Sequence, residues 1–158
     1  MGRWPIFNGH WSKSKDSVIS FCMEPIVQKE QSVIIYRLAH LLILPSSLAF
    51  YRKYYDLGVC NTAILLTSLN FWQNPVVGWQ RNLDIVVTKS CMLFQSIRAY
   101  NSEHASVYYF FILNILLFYM VGLYYHYIQK DSWNSIYSHA IVHILGNIAS
   151  ILLYSGTI

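Results

Sequence analysis

The chain has 158 residues, enough for one domain, of which 55% are hydrophobic and only 11% charged. An average soluble domain carries about 25% charged residues, so this composition argues against a soluble fold. The net charge of +4 is therefore read as membrane-orienting charge, and no nucleic-acid partner is expected. Long apolar runs instead predict an all-α, polytopic membrane helical bundle of about five transmembrane helices.

Residues 1–31 form a polar, interfacial N-terminal segment, and residues 32–158 the bundle. In the first segment Trp4, Phe7 and Trp11 alternate with charges, a pattern that suits a tail at headgroup level or a partly disordered tail. The three cysteines, Cys22, Cys60 and Cys91, lack the CxxC spacing of a zinc or redox site and read as small apolar residues.

The first predicted span, 32–51, contains Arg37, His40 and a Pro45-Ser46-Ser47 kink signal. The second, 54–72, turns polar at its end, at Thr67, Ser68 and Asn70, and Gln73-Asn74-Pro75 stops it. A loop is expected over 76–82. The third span, 83–100, is the least apolar, with Asp84, Thr88, Gln95 and Arg98 on one side. A charge at mid-membrane costs about 2.5–3.5 kcal/mol, so Asp84 and Arg98 should be paired or near an interface. The same reasoning predicts that this span lies inside the bundle, while Lys89 points away from its polar side and reaches for the interface.

The fourth span, with its core at 107–125, is apolar all round and has tyrosines at both ends, as a lipid-facing helix would. The fifth, 135–154, carries one polar seam: Ser135, His139, His143, Gly146, Asn147 and Ser150. At about 100° per residue these fall on one side. Gly146 and Ser150 make a small-xxx-small pattern that predicts close helix approach. Five spans put the termini on opposite sides, and the Lys and Arg bias favours a cytoplasmic N-terminus.

Alternating spans bring Ser68, Asn70, Asp84, His139 and His143 into the same half of the membrane. Histidines four apart share a helix face and can both reach one tetrahedral zinc ion. They can equally serve as helix glue by hydrogen bonding to Ser68, Asn70 or Asp84. Asp84, near a helix start, also fits a dipole-stabilising role.

Ser68 at the end of one span, Asp84 at the start of the next and His139-x-x-x-His143 in the last resemble the alkaline ceramidase-like (CREST) superfamily. The resemblance implies a zinc-dependent hydrolase of lipid amides. His139 and His143 would be metal ligands, Asp84 would handle the water, and Ser68 would support it. The family's third ligand falls at Trp72, which cannot bind zinc, and the family has seven helices where five are predicted here. Two functions follow as expectations. One is a non-enzymatic bundle or accessory membrane subunit with an intramembrane polar cluster, and the alternative is a zinc hydrolase or a degenerate relative. Partners are expected in the bilayer and among other membrane subunits.

Overall fold

The computed structural model describes residues 26–158. The expected headgroup placement of Trp4, Phe7 and Trp11, like the environment of Cys22, lies outside the described residues. Within them the fold is all-α: α1 (Lys29–Ala39), a 3-10 turn (His40–Leu42), α2 (Ile43–Tyr51), α3 (Tyr55–Gln73), α4 (Trp79–Ala99), α5 (Ala105–Tyr124) and α6 (Ser132–Ser155). A π-helical turn, Tyr125–Gln129, extends α5.

Local chemistry accounts for the boundaries. Gln28 and Gln31 close a reciprocal capping box at the start of α1, satisfying two amide groups that a helix end leaves orphaned. Pro45 cannot donate to the carbonyl four residues back. The backbone tightens to the 3-10 turn just before it, and the Ser46 hydroxyl donates to the Leu42 carbonyl at 2.7 Å. The kink signal thus yields a tightened turn, and α1, turn and α2 form one rod, Lys29–Tyr51.

Lys53 (φ 64°) and Lys130 (φ 54°) adopt the left-handed conformation, uncommon for residues with a Cβ, to turn the chain sharply after α2 and α5. Asp131 caps α6 by accepting from the Asn134 amide at 3.1 Å. The loop expected over 76–82 is shorter than predicted, because α4 already begins at Trp79.

Three rods are long and apolar enough to cross a membrane: Lys29–Tyr51, Ala105–Gln129 and Ser132–Ser155. α3 and α4, at 19 and 21 residues, have the length but carry several polar side chains each. The five helical rods match the expected number of segments, and the apolar criterion singles out three of them.

α6 lies along α5 and also touches α1 and α2, while α3 packs on α1, α2 and α4. Two small cores hold the ends of the bundle. Ala49, Leu57, Ala99, Tyr108, Ala149, Leu153 and Tyr154 form one. Ile35, Phe71, Trp72, Ile136 and Ala140 form the other.

The predicted interior position of the third span is not observed. α4 buries only Gln95 and Ala99 and leaves Leu83, Val86, Leu93 and Ile97 exposed. It flanks the bundle, because Asp84, Gln95 and Arg98 find their partners on one neighbour, α3, without enclosure on every side. α5 does present the apolar outer face expected of it: Phe110, Leu113, Leu117 and Met120 are all exposed.

Candidate functional site

The polar end of α3 faces the start of α4. There the Ser68 hydroxyl donates to Asp84 Oδ1 at 2.7 Å and the Thr67 hydroxyl donates to the same atom at 3.1 Å. Ser68 is 2% exposed, so in this apolar setting its hydroxyl needs a partner inside the protein. Asp84 sits in the second turn of α4, and its side chain reaches across to α3 instead of capping its own helix. Of the two charges expected to need partners, Asp84 receives the hydroxyls of Ser68 and Thr67 but no cation, and Arg98 is ion-paired. Arg98 Nε pairs with Asp56 Oδ2 at 3.0 Å.

Towards the other end, Gln95 Nε2 donates to Asn61 Oδ1 and Asn61 Nδ2 donates to the Tyr154 hydroxyl, each at 2.9 Å. This chain ties α4, α3 and α6 together. Sequence reasoning placed Gln95 on the polar side of its helix but missed Asn61 and Tyr154. The available signal was Asn61 itself, a strongly polar residue early in an otherwise apolar helix, whose burial demands an internal partner.

His139 and His143 lie on one face of α6, their ring centroids 5.1 Å apart, and the Trp72 ring packs 5.1 Å from that of His139. Neither imidazole hydrogen-bonds to Ser68 or Asp84, which bond to each other instead, and Asn70 is exposed on α3. Helix glue is therefore supplied by the Ser68–Asp84 and Gln95–Asn61–Tyr154 bonds, not by the histidines. His40 is exposed on the first rod and engages the Tyr36 carbonyl through Nδ1 at 2.8 Å.

Between the two small cores lies a cavity of about 230 Å³. Ser68, Asp84, His139 and His143 all line it, together with apolar side chains such as Ile64, Met92, Ile112 and Ile115. Lys89 is exposed and stands on the rim, near the middle of α4. Gly146 also lines the cavity, and a Cβ built on it meets nothing within 4 Å. The close approach predicted at Gly146 is absent, since the cavity occupies the space beside it. Close approach occurs instead at Gly122, where an added Cβ would lie 3.3 Å from the Ser138 Cβ, and where the Ser135 hydroxyl donates to the Gly122 carbonyl at 3.0 Å.

Comparison with family models, characterised proteins and solved structures finds no match. The likeness to the ceramidase-like superfamily rests on the four cavity residues alone.

Two imidazoles supply two of the donors that zinc takes; catalytic sites use three protein ligands and structural sites four. Among the described residues no group of three or more His, Cys, Asp or Glu side chains is arranged to hold a metal ion. The position where a third ligand is implied holds the Trp72 ring, packed on His139. The described residues therefore do not fit a three-ligand zinc centre. What they offer is a carboxylate and two imidazoles lining a mainly apolar space.

Proposed function

We propose that the chain is a multi-pass membrane protein that works as a non-enzymatic helical bundle or accessory subunit, with all five rods crossing the bilayer. The observation that carries this reading is the distribution of polarity. Phe110, Leu113 and Leu117 face outward, while Ser68, Asp84, Asn61 and Gln95 satisfy one another between helices. In lipid no water is available to solvate stray polar groups, so this is the pattern a bilayer selects.

Two less apolar rods can cross because their polar groups are bonded before they meet hydrocarbon. The exposed apolar side chains of α4, Leu83, Val86, Leu93, Phe94 and Ile97, support a neighbouring membrane subunit there. The Lys and Arg bias between loops supports a cytoplasmic N-terminal side.

Extraction of expressing membranes with alkaline carbonate tests the reading. The chain is expected to stay in the membrane pellet, and release into the supernatant would overturn it.

A second reading, a zinc-dependent lipid-amide hydrolase or its degenerate relative, draws support from one observation: Ser68, Asp84, His139 and His143 line a single cavity. Metal analysis of the detergent-purified protein separates the two. The bundle reading expects a folded protein without stoichiometric zinc. Stoichiometric zinc that is lost in both His139→Ala and His143→Ala would overturn the bundle reading.

A further inference from the structure

Asp84 accepts both of its hydrogen bonds at Oδ1, and Oδ2 takes none among the described residues. The carboxylate lines the cavity, yet the ion pair formed among the described residues is Arg98–Asp56, well away from it. A carboxylate held in a mainly apolar space without an ion pair is costly, and Lys89, on the rim of the same cavity, makes none with it. Charged groups inside membrane proteins are satisfied by pairing with each other or with a ligand of opposite sign.

The rest of the wall defines what else the ligand must be. Ile64, Met92, Ile112, Ile115 and Leu116 present hydrocarbon. Asn61 and Gln95 are already engaged with each other, and the two imidazoles add polar atoms near one end. A cavity of about 150 Å³ lined by apolar side chains is enough to hold benzene, so about 230 Å³ holds a short alkyl chain. Access is lateral. α4 and α5 touch sparingly and are tied near their connecting turn, where the Tyr109 hydroxyl donates to the Ser96 carbonyl at 2.7 Å. The cavity is lined from both helices, with Lys89 and Leu116 exposed at its edge.

We propose that this cavity binds a protonated primary amine carrying an apolar body, with the ammonium against Asp84 Oδ2 and the body along α5. The ammonium supplies the charge that the carboxylate lacks, and N⁺–H···O⁻ bonds are about twice as strong as neutral ones. The inference rests on the membrane-bundle reading for its setting, and the experiment keeps the two apart.

The full chain is reconstituted in phosphatidylcholine nanodiscs and titrated calorimetrically at pH 7 with hexylamine, hexanol and hexanoate, with empty discs subtracted. Failure to incorporate counts against the membrane reading. Incorporation without amine preference counts against the amine site alone.

The expected result is that hexylamine binds about ten-fold more tightly than hexanol and hexanoate more weakly than either. Asp84→Asn should erase the difference between amine and alcohol. Lys89→Met, which removes a positive charge from the mouth, should tighten amine binding several-fold. Gly146→Leu, which extends a side chain into free space, should abolish both amine and alcohol binding while the fold persists.

Equal binding of amine and alcohol by the wild type would overturn the proposal, as would a preference for hexanoate. Should Asp84→Asn not fold, the order of amine, alcohol and hexanoate in the wild type still decides the question. Adding phosphatidylethanolamine to the discs identifies the source. Competition with hexylamine points to a lipid headgroup amine, and no competition to a freely diffusing one.

Discussion

At Asp84 the geometry is set by two hydroxyls of unequal commitment. Ser68 donates to the carboxylate at 2.7 Å, whereas Thr67 is shared between Asp84 at 3.1 Å and the Ile64 carbonyl at 3.2 Å. Ser68→Ala should therefore destabilise the protein more than Thr67→Val. Side-chain hydrogen bonds between membrane helices average about 0.6 kcal/mol and reach about 1.7, so Ser68→Ala should cost roughly 1 kcal/mol in detergent unfolding. Tyr154→Phe removes the acceptor of Asn61 Nδ2 and should cost a similar amount, roughly 0.5–1.5 kcal/mol. The Arg98–Asp56 pair is about 40% exposed on both sides. Neutralising it with Arg98→Gln should shift stability by less than about 1 kcal/mol.

Helix faces make a sharper contrast at two glycines, Gly146, where the sequence predicts close approach, and Gly122, where it predicts nothing. Gly122 lies where α5 and α6 meet, with 3.3 Å to the Ser138 Cβ. Gly122→Leu should force the helices apart and cost about 1–3 kcal/mol. Gly146 faces the cavity, and Gly146→Leu should leave thermal stability unchanged or raise it by about 0.5–1 kcal/mol, the helix-propensity gain over glycine.

The helical class, the five rods and the polar seam of α6 are legible in the sequence because they follow from apolar periodicity. The shared depth of Ser68 and Asp84 is legible too, since alternating rods put both in the same half, but their hydrogen bond is not. The pairing partners of polar residues are not legible. Asn61 and Tyr154 are 93 positions apart in the chain, and only the assembly of the bundle brings them together. The position of α4 is misread for a related reason. A polar stripe shows that a helix needs a partner, but one partner on one side is enough. Gly146 fails in the same way: a small residue permits close approach without requiring it.

At the scale of the whole molecule, two compact ends enclose a loosely filled middle. The clusters around Tyr154 and around Trp72 fix the rods at either end, while α4 diverges from α5 along the cavity. Such a bundle is held by end contacts and a few interhelical bonds, and most of its outer apolar surface is left for lipid. Its stability should accordingly depend on the medium, falling when short-chain detergent replaces a bilayer and recovering on reconstitution. Circular dichroism through a thermal ramp in each medium checks this.

The most direct measurement is sidedness. Cysteines are placed singly at Lys53, Val77, Asn101 and Lys130, one in each connection between rods, on a background with Cys22, Cys60 and Cys91 replaced by alanine. They are then labelled in sealed vesicles with a membrane-impermeant maleimide. A five-crossing bundle predicts that positions 53 and 101 react from one side and positions 77 and 130 from the other. Labelling of 53 and 77 from the same side, or of 77 and 101, would show that α3 or α4 does not cross, and would contradict the account.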